Sequence, residues 1–140
     1  MSAEPYELLD SGGERRLERL GPWTIVRTAP HAYWRPRLAE DEWRRADATH
    51  HRLTTGGGRW EFHRRLPESW PVSCGGRTFR MQLTDFGHIG LFAEQLETWR
   101  FLQRTLEAAG GSPRVLNLFA YTGGSTLAAA AGGAEVVHVD

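Results

Sequence analysis

Lysine is absent from this chain: all 17 basic residues among its 140 are arginine, and 17 acidic residues balance them to a formal net charge of zero. No strong acidic or basic tail is present in it. Arginine forms planar, bidentate contacts with phosphate, which suits RNA. The same arginine-, alanine- and glycine-rich composition is also what a GC-rich genome tends to encode. Cysteine occurs once, at Cys74. One thiol excludes an internal disulfide and a cysteine-based zinc cluster, and it fits a reducing, cytoplasmic setting. No apolar run approaches the roughly 20 residues of a membrane span. The opening Met1-Ser2-Ala3-Glu4-Pro5-Tyr6 is too polar for a secretory signal. A length of 140 residues suits one ordinary domain, or a small domain plus part of another.

The first part of the chain reads as β-rich. Short strands are expected between Tyr6 and Arg27, broken at Asp10-Ser11-Gly12-Gly13 and at Gly21-Pro22. Glu40 to Ala48 reads as a short helix or an insertion loop. Thr54-Thr55-Gly56-Gly57-Gly58 is a turn, and Trp60 and Phe62 then alternate with polar neighbours as in a half-buried strand. Pro71 to Gly76 is turn-rich, and Cys74 within it reads as a structural or incidental thiol. Phe79, Met81 and Leu83 share one face of a strand starting at Arg77, and His88 to Phe92 can pair back as a hairpin. Residues 27–80 hold eleven arginines against six acids, with Trp34, Trp43, Trp60 and Trp70 interleaved. That pattern fits either a nucleic-acid surface or a tryptophan core under a solvated arginine face. His50, His51, His63 and His88 show no metal-ligand spacing, so no metal is expected.

The second part changes character. Leu96, Trp99, Leu102 and Leu106 form an apolar stripe on a helix from about Ala93 to Ala109, stopped by Gly110-Gly111. Val115 to Phe119 reads as a parallel strand covered on both faces. Gly123 and Gly124 let the backbone turn and approach a ligand. A helix over about Ser125 to Ala131 then offers unpaired N–H groups to an anion. Val136 to Val139 is a second strand, and Asp140 ends it about 20 residues past the turn, where an acid can accept hydrogen bonds from ribose hydroxyls. The turn lacks the Gly-x-Gly-x-x-Gly spacing of a dinucleotide site: Ala120 stands in for the first glycine and the third is missing. Pyrophosphate therefore fits poorly. A nucleoside with an amino-acid tail, such as S-adenosylmethionine, asks less of the turn, and Phe119 or Tyr121 can border its pocket. Asn117 orients the turn, touches the ligand, or is a buried and satisfied amide.

Asn117-Leu118-Phe119-Ala120-Tyr121-Thr122-Gly123-Gly124 resembles the first motif of class I S-adenosylmethionine-dependent methyltransferases. Within that group it is most similar to the bacterial large-subunit ribosomal-RNA (cytosine-5) type. Asp85-Phe86-Gly87-His88-Ile89-Gly90-Leu91-Phe92-Ala93-Glu94-Gln95 resembles the segment just upstream in that family, with its Gly-aromatic and acid-Gln pairs. The resemblance spans Arg77 to Asp140. It implies S-adenosylmethionine as cofactor, RNA as partner, and cofactor contacts from Phe119, Tyr121, Thr122, Gly123, Gly124, Asp140 and Gln95. Family members often begin with an RNA-binding domain of the pseudouridine-synthase type, and no such domain is recognisable here. The family's catalytic residues follow this point, so none is named in this chain, and Cys74 lies on the wrong side of the motif to be the nucleophile.

The expected architecture is mixed, α+β and α/β. A small β-rich domain occupies residues 1–80, and residues 81–140 form the first half of a Rossmann-like, doubly wound methyltransferase domain. Only two parallel strands are present, so the chain is expected to be C-terminally truncated. Two other readings stay open. One is a nicotinamide-dependent oxidoreductase, and the other is a non-enzymatic module binding RNA or protein.

Overall fold

A computed structural model describes residues 5–54 and 56–140. The first four residues of the polar opening, and Thr55 of the expected turn, lie outside the described residues. The chain divides into two compact units, Met1–Gly90 and Leu91–Asp140. The segment from Met81 to Gly90, expected at the start of the second domain, falls in the first unit. There the Gln82 N–H donates to the Ile89 carbonyl (3.2 Å) and the Thr84 N–H to the His88 carbonyl (3.1 Å). The expected return of His88 and Ile89 thus forms as a hydrogen-bonded loop without becoming a strand.

The first unit is built on a five-stranded sheet in the order β1-β2-β3-β4-β5. Its strands are β1 (Tyr6–Gly12), β2 (Arg15–Leu20), β3 (Trp23–Thr28), β4 (Ala48–Arg52) and β5 (Gly58–Phe62). Two-residue turns close the first hairpins, at Gly13-Glu14 and Gly21-Pro22. Gly13 and Glu14 both carry positive φ, 55° and 61°, the twist that two-residue hairpin turns favour. Strands β3 and β4 run parallel, so a crossover must separate them. That crossover holds the short helix α1 (Glu40–Arg44). Leu17, Val26, Trp43 and Ala46 form a core cluster between this helix and the sheet.

Strands β6 (Trp70–Cys74) and β7 (Arg77–Met81) make a separate hairpin. The first of these corrects the expectation of a turn over Pro71 to Gly76. Only Gly75 and Gly76 turn, because Trp70, Val72 and Cys74 alternate inward and are buried. Phe62 corrects a second expectation: it is 56% exposed rather than half-buried. Trp43 and Trp70 are core residues, whereas Trp34 is exposed and its indole N–H donates to the Ser11 carbonyl at 2.8 Å.

A buried ion pair crosses two strands of the sheet. Arg27 Nε donates to Glu18 Oε2 at 2.6 Å, and its Nη2 donates to Glu18 Oε1 at 2.7 Å. The third nitrogen, Nη1, donates to the Gly87 carbonyl at 2.9 Å and so holds the loop after β7. The Tyr6 hydroxyl also donates to Glu18, at 3.0 Å. Burial, followed by the Glu18 charge beside it, holds the Tyr6 phenol above the usual tyrosine range.

The second unit begins with one 3-10 turn (Ala93–Gln95) leading into α2 (Leu96–Ala109). Strands β8 (Arg114–Leu118) and β9 (Glu135–Val139) follow, paired in parallel with α3 (Gly124–Ala131) between them. Helices α2 and α3 run side by side in the same direction. A Cβ at Gly124 would meet Trp99 at 2.2 Å, and one at Gly132 would meet the Leu106 Cβ at 2.9 Å. Glycine at both ends of α3 is therefore what allows the close approach. Strand β8 corrects the expectation of cover on both faces. Leu116 and Leu118 are exposed, with Val137 and Val139 of β9, because the helices of this unit pack only on the opposite side.

Candidate functional site

The site grows from the turn after β8. Strand β8 ends at Leu118, and the backbone then passes through Phe119 and Tyr121 at φ 57° and 50°. Bulky residues rarely adopt positive φ; each such position costs about 1–3 kcal/mol and persists only where its surroundings enforce it. Two hydrogen bonds, to the last residue of β9 and to the residue after it, do so. The Ala120 N–H donates to the Val139 carbonyl at 3.1 Å. The Tyr121 N–H donates to Asp140 Oδ1 at 2.8 Å. The turn then closes through the Gly123 N–H on the Ala120 carbonyl (3.0 Å), and Gly123, at φ 88°, starts α3. With no side chain at Gly123 to cap the helix, the first N–H groups of α3 are left for another acceptor.

A cavity of about 430 Å³ opens at this turn, beside the carboxyl ends of the parallel strands. That is where open α/β sheets hold ligands, and the volume falls within the range of small-molecule pockets. Phe119, Tyr121, Thr122, Gly124 and Gln95 line it, five of the seven residues expected at the site. Gly123 and Asp140 are not among its lining residues; Gly123 stands at the N-cap of α3, and Asp140 beside the cavity accepts from the Tyr121 N–H of the turn. Gly124 has a packing reason as well, since the Trp99 ring fills the place of its side chain.

Phe92, Trp99, Leu118, Ala120 and Ser125 also line the cavity without being expected from the sequence, as does Asn117, whose role the sequence leaves open. Phe92 stacks at a tilt on Tyr121, with ring centroids 4.8 Å apart. Trp99 lies on the apolar stripe of α2, a pattern that signals core and carries no hint of a ligand. Asn117 is placed by a hydrogen bond from its Nδ2 to Thr126 Oγ1 at 2.9 Å. Among the described residues no cluster of histidines, cysteines and acids is arranged to hold a metal ion. His50, His51 and His63 each engage a neighbour: the Asp85 carbonyl, Glu61 and Thr49.

Aromatic walls, a few polar groups and an uncapped helix start suit a ligand with a flat heterocycle and a charged tail better than a pyrophosphate. Comparison with known proteins agrees. The profile of the S-adenosylmethionine-dependent methyltransferases matches residues 24–140. The chain belongs to that family. Among solved structures it is similar to an S-adenosylmethionine-dependent methyltransferase from Agrobacterium tumefaciens, with 43% identity and a TM-score of 0.88. The match covers 99% of this chain and 44% of that one. A Streptococcus mutans chain assigned to the same class shares the fold at 19% identity and a TM-score of 0.70, with 100% of this chain and 39% of that one covered. SMU.776, assigned as a methyltransferase and complexed with SAH, does so at 19% identity and 0.68, with the same coverage. The chain thus spans less than half the length of these relatives. Among curated proteins none matches it significantly. No helix among the described residues is long and apolar enough to cross a membrane.

Proposed function

We propose that this chain contributes the S-adenosylmethionine site of a methyltransferase acting on large-subunit ribosomal RNA, at carbon 5 of a cytosine. The observation that carries the donor reading is the cavity at the β8 turn, which joins the Tyr-Thr-Gly-Gly motif to aromatic walls. In this reading Phe119 and Tyr121 border the adenine and Phe92 backs Tyr121. The open N–H groups at the start of α3 receive the carboxylate of the amino-acid tail. Asp140 holds the Tyr121 N–H with Oδ1 and offers its other oxygen to the ribose hydroxyls. Gln95 and Thr122 supply further polar contacts. When bound, the sulfonium supplies an electrophilic methyl group. The residues of this chain orient that donor and exclude water from it.

The RNA part of the reading rests on the resemblance of the motif to the ribosomal-RNA enzymes and on the arginine surplus of residues 27–80. It also makes the protein cytoplasmic. Calorimetric titration tests the donor site: S-adenosylhomocysteine should bind and NAD should not. Preferential binding of NAD would favour an oxidoreductase instead. For the substrate, large-subunit ribosomal RNA from cells with and without the gene is digested and mapped by mass spectrometry. Loss of one 5-methylcytosine is expected, and an unchanged pattern contradicts the assignment.

A further inference from the structure

Asn117 and His138 stand opposite each other in the register of β8 and β9. Thr126 of α3 reaches both: Asn117 Nδ2 donates to its Oγ1 at 2.9 Å, and that oxygen lies 2.9 Å from His138 Nδ1. Of the three, only Asn117 lines the cavity. We propose that Thr126, backed by His138, is a positioning residue that fixes the Asn117 amide with its carbonyl oxygen toward the cavity, so that the site selects a ligand bearing a hydrogen-bond donor there.

The argument is one of proton count. A hydroxyl has a single proton and two acceptor lone pairs. In the structure the Asn117 Nδ2 donor leaves the Thr126 proton for His138 Nδ1, the arrangement that goes with the imidazole proton on Nε2. The hydroxyl oxygen must then accept on its other side. Only the NH₂ end of Asn117 can donate to it. A reversed amide would need the Thr126 proton for its own Oδ1, and could keep the Thr126–His138 contact only if the imidazole carried its proton on Nδ1 instead. Oδ1 is therefore the end left for a ligand. Resting on the donor reading above, the group it suits is the α-ammonium of the amino-acid tail, a charge-assisted contact.

The test compares Thr126→Val, which removes the hydroxyl and keeps the branched shape, with Thr126→Ser, which keeps the hydroxyl. The ligands are S-adenosylhomocysteine and its analogue lacking the α-amino group. The unmodified protein should prefer the amino-bearing ligand by about tenfold, as one charge-assisted hydrogen bond gives. Thr126→Ser should retain that preference, and Thr126→Val should reduce it to about threefold or less. In ligand-free, nitrogen-15-labelled protein, the Asn117 side-chain NH₂ resonances should move in Thr126→Val and stay in Thr126→Ser. Unmoved resonances or an intact preference in Thr126→Val overturns the proposal, as does equal loss in both variants. If neither ligand binds the unmodified protein, the donor reading fails, and the ligand-free resonances still decide whether Thr126 fixes the amide.

Discussion

The Trp99 indole occupies the space where a side chain at residue 124 would begin: its Cζ2 lies 2.2 Å from the position of a Cβ on Gly124. One residue lies on the first turns of α2 and the other opens α3, so their contact sets how closely the two helices pack beside the turn. Gly124→Ala should lower stability by about 1–3 kcal/mol, the usual cost of overpacking. The same substitution should cost much less in a Trp99→Phe background, because phenylalanine lacks the outer indole ring. Urea unfolding of the four proteins measures the coupling. Equal losses in both backgrounds would contradict the contact.

Gly123 acts by a different route. Its φ of 88° is one that side chains rarely adopt. Gly123→Val should weaken binding of S-adenosylhomocysteine at least about tenfold by reshaping the turn, with the far-ultraviolet circular dichroism of a folded chain retained. Gly123→Asn should be milder, since asparagine tolerates the left-handed region. Equal binding by all three proteins in calorimetry would separate the turn from the ligand.

The difference between these two glycines shows where sequence reasoning reached and where it stopped. The turn, both strands and both helices of the second unit were legible because each has a local cause: glycine stops, a helical apolar stripe, β-branched runs. The Trp99–Gly124 contact was not, because it joins residues 25 positions apart across two helices, and nothing in either segment encodes the other. Asp140 stands out in sequence by its place after β9. Its bond to the Tyr121 N–H depends on the parallel register of β8 and β9, which sequence does not display. Strand β6 looks like a turn in sequence because Pro71 and the glycines Gly75 and Gly76 mask the inward alternation of Trp70, Val72 and Cys74.

In the first unit, the Glu18–Arg27 pair is buried with side chains 1% and 5% exposed. Arg27→Met removes both guanidinium bonds to the buried carboxylate, leaving it the Tyr6 hydroxyl and Arg16 at 3.7 Å, and releases the Gly87 loop, so it should cost about 3 kcal/mol. Pairing it with Glu18→Gln removes the stranded charge and should recover part of that loss. Thermal unfolding of the single and double variants decides the matter; a double variant no more stable than Arg27→Met would contradict the account.

Asp10 gives the fold an acid limit. Burial raises its pKa, but N–H donors from Leu38, Ser11 and Arg37 outweigh that and hold the carboxyl below the usual aspartate range. The contacts measure 2.9, 2.9 and 3.0 Å. The folded value is depressed, so the stabilisation is present above the unfolded value of about 3.9 and is lost as pH falls through the folded one. Asp10→Asn should therefore be less stable than the parent at pH 7, and the gap should narrow below about pH 4. A gap constant from pH 7 to pH 3 in chemical denaturation would refute this.

The donor site is tested most directly by amide chemical shifts during titration with S-adenosylhomocysteine. The largest changes should fall on Phe92, Gln95, Asn117 to Ser125 and Asp140, with the Tyr121 N–H among them because it touches both the cavity and the Asp140 carboxylate. No change at the turn, or changes confined to residues before Gly90, would contradict the assignment.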